Sequence, residues 1–310
     1  MLIFDAFLLW KKISHSIRRS LVGKKKFKER NAGFGYDTMP KKLPRVIWMY
    51  WDRPLEEAPE IVRYAVDSWV RKNPSWDVRV LSDSNVADFV EVPPHRSDRK
   101  IQWRADLIRI ALLRDYGGVW VDATTFCVRS LDGWLPPLME SGFFAFPDSY
   151  PGRTMGISFL AAVPQNYLVA KWLHLMLKYY SKRGKVLHYF WVMYLFEYII
   201  RTDRRASAIW KATPKLSSKG PILLKRLLTQ PNLLEPIPDQ IEETAIAWLK
   251  ISSDTKLENQ EILDGIAMGR DFDLRRVADV ELRKNRSKLE RGSPHRVDLL
   301  VRDPERSADG

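Results

Sequence analysis

The chain has 310 residues, 45% of them hydrophobic, which is enough to bury a substantial core in one or two domains. Its formal net charge is +13, and nine basic against two acidic residues fall in the first 30 positions, so over half of the excess sits in a tenth of the chain. That concentration in an arm that is also apolar, with no zinc-ligand spacing, RNP pattern or recognition helix, argues against a nucleic-acid partner. The single cysteine, Cys127, excludes an internal disulfide framework and reads as a small buried hydrophobe rather than a nucleophile.

Residues 1–40 read as a basic amphipathic arm and linker. Leu2-Ile3-Phe4 and Phe7-Leu8-Leu9-Trp10 are followed by Ile13, Ile17 and Leu21 at helical spacing among lysines and arginines. Such a helix lies in a membrane interface with its cations on anionic headgroups, each worth about 1 kcal/mol, or docks on the protein's own surface. The apolar run is broken at Asp5 and ends near Trp10, short of the roughly 17 to 25 residues of a span. Its charge follows the apolar stretch, the reverse of a signal peptide. Gly33, Gly35 and Pro40 mark the linker.

The next legible block is Val46-Ile47-Trp48-Met49-Tyr50-Trp51, a buried strand in composition, trailed by Ala58-Pro59-Glu60, Ser68-Trp69 and Asn73-Pro74-Ser75-Trp76. Ala105-Asp106-Leu107-Ile108-Arg109 then reads as a helix with an acid and a base three apart, hence on one face. Leu107, Ile108, Ala111 and Leu112 form the stripe that packs on a sheet. Gly117-Gly118 stops that helix with a left-handed residue. Val119-Trp120-Val121 is a short buried strand, and Asp122 is delivered at its carboxyl end, where open α/β sheets bind ligands.

Further on, Phe143-Phe144-Ala145-Phe146 reads as a strand, 148–156 as a loop, and 167–180 as a helix. Residues 186–200 form a second apolar segment, too short for a span and read as a buried or interfacial helix. Its basic flanks suit a lipid-phosphate headgroup. Within it, His188 and Glu197 are candidates for the acceptor side, the histidine as a general base, or as a hydrogen-bonded core residue. Beyond about 255 the chain is highly charged with few aromatics, and the stretch after Arg291 reads as disordered.

The block from Ala105 to Thr124 resembles the sugar-transferase families named for a DXD motif, among them initiating mannosyltransferases and glucosylating toxins. It is nearest to the bacterial capsular polysaccharide synthesis family. The early strand and the Trp-rich segments resemble the first strand and helix of those proteins, so the likeness covers about 43–130, with weaker echoes to about 250, including Gly220-Pro221. The resemblance implies an α/β fold, a GT-A type Rossmann-like nucleotide-sugar-binding domain with added helices. With the composition of the two ends it gives domains at 1–40 (basic amphipathic arm and linker), 41–255 (transferase) and 256–310 (charged extension, partly disordered). By the same resemblance Trp48 stacks on the nucleobase, Asp106 and Arg109 hold the sugar and ribose region, and Asp122 is the first carboxylate of the motif.

The second Asp of the motif is replaced by Thr124. Transfer expels a nucleoside diphosphate, so a metal or fixed cations must meet the charge that grows on it. Asp122 with Thr124 and water is the candidate site for Mn²⁺ or Mg²⁺, and the replacement leaves that metal open. Arg104, Arg109 and Arg114 are basic side chains that lie close in sequence. Trp48, Trp51 and Trp120 are the aromatics placed to pack on a sugar ring. The expected function is therefore a glycosyltransferase moving sugar from a nucleotide-diphosphate sugar to a surface-polysaccharide or lipid-linked glycan acceptor, retaining by resemblance, and peripheral on the cytoplasmic face of an anionic membrane. A non-catalytic nucleotide-sugar- or glycan-binding scaffold is the alternative, and a basic nucleic-acid-binding protein a remote one.

Overall fold

The computed structural model describes residues 42–93, 101–147, 153–182, 188–216, 221–222 and 248–250, together with Phe7. The arm and the C-terminal extension thus lie outside the described residues, as does the interior of the loop at 148–156. Phe7 alone of the arm is placed, its ring edge-on to Tyr198 at 5.9 Å.

A five-stranded sheet of order β2-β1-β3-β6-β5 forms the centre. Its strands are β1 (Val46–Tyr50), β2 (Asp77–Leu81), β3 (Gly118–Val121), β5 (Phe143–Pro147) and β6 (Met155–Ala162). β1 runs parallel to β2 and β3, whereas β6 runs antiparallel to β3 and β5. The fold is α/β, with a Rossmann-like parallel half continued by an antiparallel half. Two short strands, β4 (Thr125–Cys127) and β7 (Trp248–Lys250), pair antiparallel beside it.

Alternation along the strands divides the apolar residues between two clusters, one per sheet face. Trp48, Tyr50, Trp120, Phe143, Ala145 and Leu160 join one; Ile47, Met49, Val119, Val121, Phe144, Phe146 and Phe159 join the other. Helix α1 (Glu60–Lys72) contributes Ile61, Val62, Ala65 and Trp69 to the second cluster, and helix α2 (Ile101–Asp115) contributes Leu107, Ile108 and Leu112 to the first. The chain leaves β1 toward α1 on one face and reaches β3 from α2 on the other. The carboxyl ends of β1 and β3 are therefore a topological switch point, where diverging helices leave a crevice.

Helix α2 is buried on more than its expected stripe, since Ile110 and Leu113 are also fully covered. Helix α3 (Tyr167–Lys182) packs on its far side, and α4 (Trp191–Thr202) and α5 (Arg204–Ala212) complete the layer. The segment expected at 186–200 is thus a buried helix, α4, with Trp191 to Ile199 all inside. Strand β6 begins at Met155 and was not legible in the sequence, because a loop was expected through Gly156 and its apolar run lacks alternation.

Gly117 and Gly118 make the tight turn from α2 into β3, with φ of +67° and +91°. Gly117 N–H donates to Leu113 O at 3.2 Å, closing the helix in a left-handed cap. At Gly118 a Cβ would lie 2.5 Å from Val46 Cγ1 and 2.6 Å from Val46 O. Gly118→Ala is expected to cost about 2 to 4 kcal/mol, from left-handed strain plus overpacking, read by urea unfolding. A loss below about 1 kcal/mol would show that the turn relaxes freely.

Candidate active site

Asp106 and Arg109 sit one turn apart on α2, 5% and 6% exposed. Charged groups are tolerated at such depth only when paired. Arg109 Nη2 lies 3.2 Å from Asp106 Oδ1, and Nη1 lies 3.4 Å from Asp122 Oδ1. Nη1 also donates to Ile157 O of β6 at 2.5 Å, and the guanidinium stands 5.0 Å from the Trp120 ring centroid. One arginine thus joins the helix carboxylate, the post-strand carboxylate and the antiparallel half of the sheet.

Asp122 follows β3 directly. Its backbone N–H donates to Ser158 O at 2.9 Å, and Thr125 donates to Asp122 O from both its N–H (2.9 Å) and its hydroxyl (2.6 Å). This turn is held from below by α1: Trp69 Nε1 donates to Thr125 O at 2.8 Å, and Cys127 N–H donates to Ser68 Oγ at 2.8 Å. Trp120 Nε1 donates to Asp122 Oδ1 at 3.1 Å. Lys250, at the end of β7, donates from Nζ to Asp122 Oδ2 at 2.9 Å and to Thr124 Oγ1 at 2.6 Å.

The two carboxyls are driven apart in acidity. Burial pushes the Asp106 carboxyl up to about 7, opposed by Arg109 and assisted by the nearby Asp122 charge. Burial would raise Asp122 as well, but Lys250 and Arg109 together outweigh it and hold that carboxyl well below the usual range. The site therefore presents one carboxylate that stays ionised and one carboxyl that exchanges its proton near neutrality. Such separation is a mark of functional sites. The Cys127 thiol, pushed up to about 12 by burial, is no nucleophile.

These groups line one cavity of about 380 Å³ at the switch point. Tyr50, Trp51 and Asp52 enter from the end of β1, Trp120, Asp122 and Thr124 from β3, and Tyr189 and Phe190 from the start of α4. Among the described residues the buried Trp51 Nε1 and Arg109 Nε, both of cavity-lining residues, have no hydrogen-bond partner.

Six of the residues expected from sequence, Trp51, Asp106, Arg109, Trp120, Asp122 and Thr124, meet at this cavity. Trp48 does not. Its stretch of β1 is covered, so it lies in the core, 1% exposed, against Phe89 and Tyr116, and its Nε1 donates to Gly117 O at 2.9 Å. It braces the glycine turn instead of facing a base. His188 and Glu197 are also absent from the lining. His188 Nδ1 accepts from Phe190 N–H at 3.0 Å, and Glu197, 3% exposed, pairs with Arg201 at 2.8 Å. Of the three arginines, Arg104 is tied to Asp83 and Tyr50, and Arg114 to Asp115; only Arg109 lines the cavity.

Lys250, Tyr50 and the Ile157 carbonyl were missed by sequence reasoning. Lys250 is one of 51 basic residues and lies in a three-residue strand, so nothing local sets it apart. It also bears on the candidate metal site at Asp122 and Thr124. Asp122 Oδ1 is taken by Trp120 and Arg109, and an ammonium stands between Oδ2 and Thr124 Oγ1. Mn²⁺ or Mg²⁺ calls for several oxygen ligands, and among the described residues no three His, Cys, Asp or Glu side chains cluster to hold an ion. The described residues do not fit a divalent cation.

Residues 10–264 match the family described as capsular polysaccharide synthesis protein, and the chain belongs to that family. It is 36% identical over 106 residues to glycosyltransferase afumC of Aspergillus fumigatus, covering 28% of this chain and 26% of that protein. It is 27% identical over 163 residues to O-glycosyltransferase braB of Annulohypoxylon truncatum, covering 45% and 38%. The chain thus matches well under half the length of these two relatives, both fungal. Among solved structures, the PaToxG glycosyltransferase superposes with a TM-score of 0.41 at 15% identity, over 56% of this chain and 75% of that one.

Asp106 supplies a test by pH. The folded state keeps its proton to about 7, while the unfolded chain releases it near 4. Between those values the folded state binds more protons, so this group's contribution to stability falls as pH rises and stays unfavourable above 7. Asp106→Asn removes the cost. Its Tm advantage over wild type is expected to grow by several degrees from pH 5 to pH 8; a difference flat across that range would mean an ordinary carboxylate.

Proposed function

We propose that this member of the capsular polysaccharide synthesis family is a glycosyltransferase that moves a sugar from a nucleoside-diphosphate sugar to a glycan or lipid-linked glycan acceptor. The observation that carries the reading is the convergence of Asp106, Arg109 and Asp122 on one cavity at the switch point of the sheet. A cavity of about 380 Å³ with aromatic walls and a few directed polar groups suits a ligand of that kind. The names of the two relatives point the same way.

In this reading the sugar lies against Asp122, which the buried Trp120 steadies through its Nε1 donation, and Trp51 takes the place that Trp48 was expected to fill beside the nucleotide. Negative charge grows on the leaving diphosphate as the anomeric carbon becomes oxocarbenium-like, and cations fixed in a low-dielectric cavity stabilise it without reorganising. Asp122, always ionised, accepts from sugar hydroxyls and faces the developing positive charge. Transfer proceeds with retention of anomeric configuration. The basic arm at 1–40 holds the enzyme on the cytoplasmic face of an anionic membrane; among the described residues no helix is long and apolar enough to cross one.

A scaffold that binds nucleotide-sugar without turnover is the second reading, favoured by Thr124 in place of a second carboxylate. Transfer and donor-hydrolysis assays separate the two, with product stereochemistry read by NMR. Asp122→Ala and Asp106→Ala are each expected to lower turnover by roughly 100-fold or more while the thermal transition persists. Wild-type turnover in Asp122→Ala overturns the assignment, and nucleotide binding with no sugar release in wild type identifies the scaffold. Removal of residues 1–30 is expected to abolish co-sedimentation with phosphatidylserine vesicles; undiminished sedimentation removes the membrane role.

A further inference from the structure

Lys250 is held where it is by structure on every side. β7 pairs with β4 in a register that sets Lys250 opposite Thr125, Leu249 opposite Phe126 and Trp248 opposite Cys127. Trp248, 2% exposed, stacks on Phe159 at 6.2 Å with planes 15° apart and meets Phe146 edge-on at 5.5 Å, which fixes the short strand in the second core cluster. The Lys250 side chain consequently enters the cavity wall with the residue only 7% exposed.

The ammonium has three donors. Two go to Asp122 Oδ2 at 2.9 Å and Thr124 Oγ1 at 2.6 Å, leaving one N–H. Its position is that of a cation shared by the first and third residues of the Asp122-Ala123-Thr124 turn. A divalent ion placed on the same oxygens would meet this positive charge at contact distance, with Arg109 on the other oxygen of the carboxylate. Burying an ammonium is costly unless it is paired and hydrogen-bonded, and here the pairing is with the one carboxylate that stays ionised.

We propose that Lys250 takes the place of the divalent cation, so that the site binds and expels a diphosphate without a metal. The inference rests on the reading of this cavity as a nucleoside-diphosphate-sugar site. In the transfer step the bond between the anomeric carbon and the diphosphate oxygen breaks with its electron pair on that oxygen. Lys250 meets the growing charge with its remaining N–H. The acceptor oxygen bonds to the anomeric carbon, and its hydroxyl proton passes to the departing diphosphate. Thr124 then has a reason to replace a second carboxylate: a hydroxyl orients the ammonium, whereas another anion would neutralise the charge meant for the phosphates.

The test is calorimetric titration of the full chain with inorganic pyrophosphate, UDP and GDP, after EDTA treatment and again with added Mn²⁺, in wild type and in Lys250→Gln checked for a cooperative melt. Wild type is expected to bind at least one diphosphate in EDTA, with affinity changed less than about threefold by Mn²⁺. Lys250→Gln is expected to weaken that binding by roughly tenfold to a hundredfold, the worth of a charge-assisted hydrogen bond. Tightening of wild-type binding by tenfold or more on adding Mn²⁺ overturns the proposal, even if the variant does not fold. Unchanged affinity in a folded Lys250→Gln also overturns it. If no diphosphate binds wild type with or without Mn²⁺, the nucleotide reading of the cavity fails, and this inference fails with it.

Discussion

The Asp122 carboxylate is the point on which the candidate site depends. Its two oxygens are reached from three elements: Arg109 on α2 and Trp120 on β3, close by in sequence, and Lys250 on β7, far away. All three are buried, Arg109 at 6%, Trp120 at 1% and Lys250 at 7% exposure. Such a network is costly to assemble, since both of its cations are buried and Asp122 keeps only part of its side chain in water. It is kept in shape by the apolar frame around it: Trp48 braces the glycine turn, Trp248 anchors β7, and Trp69 with Ser68 clamp the strand that follows the carboxylate.

The glycine pair ranks next to that carboxylate as a constraint. A helix must end and a strand begin within two residues, with Val46 pressed against the second glycine. A bulkier turn would move β3 along its neighbours and carry Asp122 away from Arg109. The distance between two carboxyls of opposite behaviour is thus set by backbone geometry. Asp106 lies against an arginine that it shares, and burial decides its acidity; Asp122 has two cations, and they decide its own. A site with one permanent anion, one carboxyl titrating near neutrality and two fixed cations matches a reaction in which charge of both signs develops a few ångströms apart.

Several elements were legible because their signals are local. The acid–base spacing of Asp106 and Arg109, the glycine stop, the β-branched and aromatic run to Val121 and the terminal Asp122 each need only a few neighbouring residues to be read, and the structure brings them to one cavity. The strand at Phe143 and the helix from Tyr167 were equally plain. Trp48 was misplaced because strand alternation says which residues share a face, not how far along the strand the sheet remains covered. Tyr50 and Trp51 lie where the cover ends. His188 and Glu197 drew attention as polar residues in an apolar segment, yet each is satisfied locally, by the next helix turn and by Arg201.

By itself the sequence determined the helix-turn-strand unit that presents Asp106, Arg109 and Asp122, because propensity, glycine conformation and helical spacing act over a handful of residues. Only the tertiary structure decided which of the many cations faces that carboxylate. Lys250 comes from 128 positions away in sequence to Asp122, through a three-residue strand whose pairing depends on the β4 edge and on Trp248 finding Phe159. Contacts of that range are set by the packing of the whole core, and no local pattern encodes them.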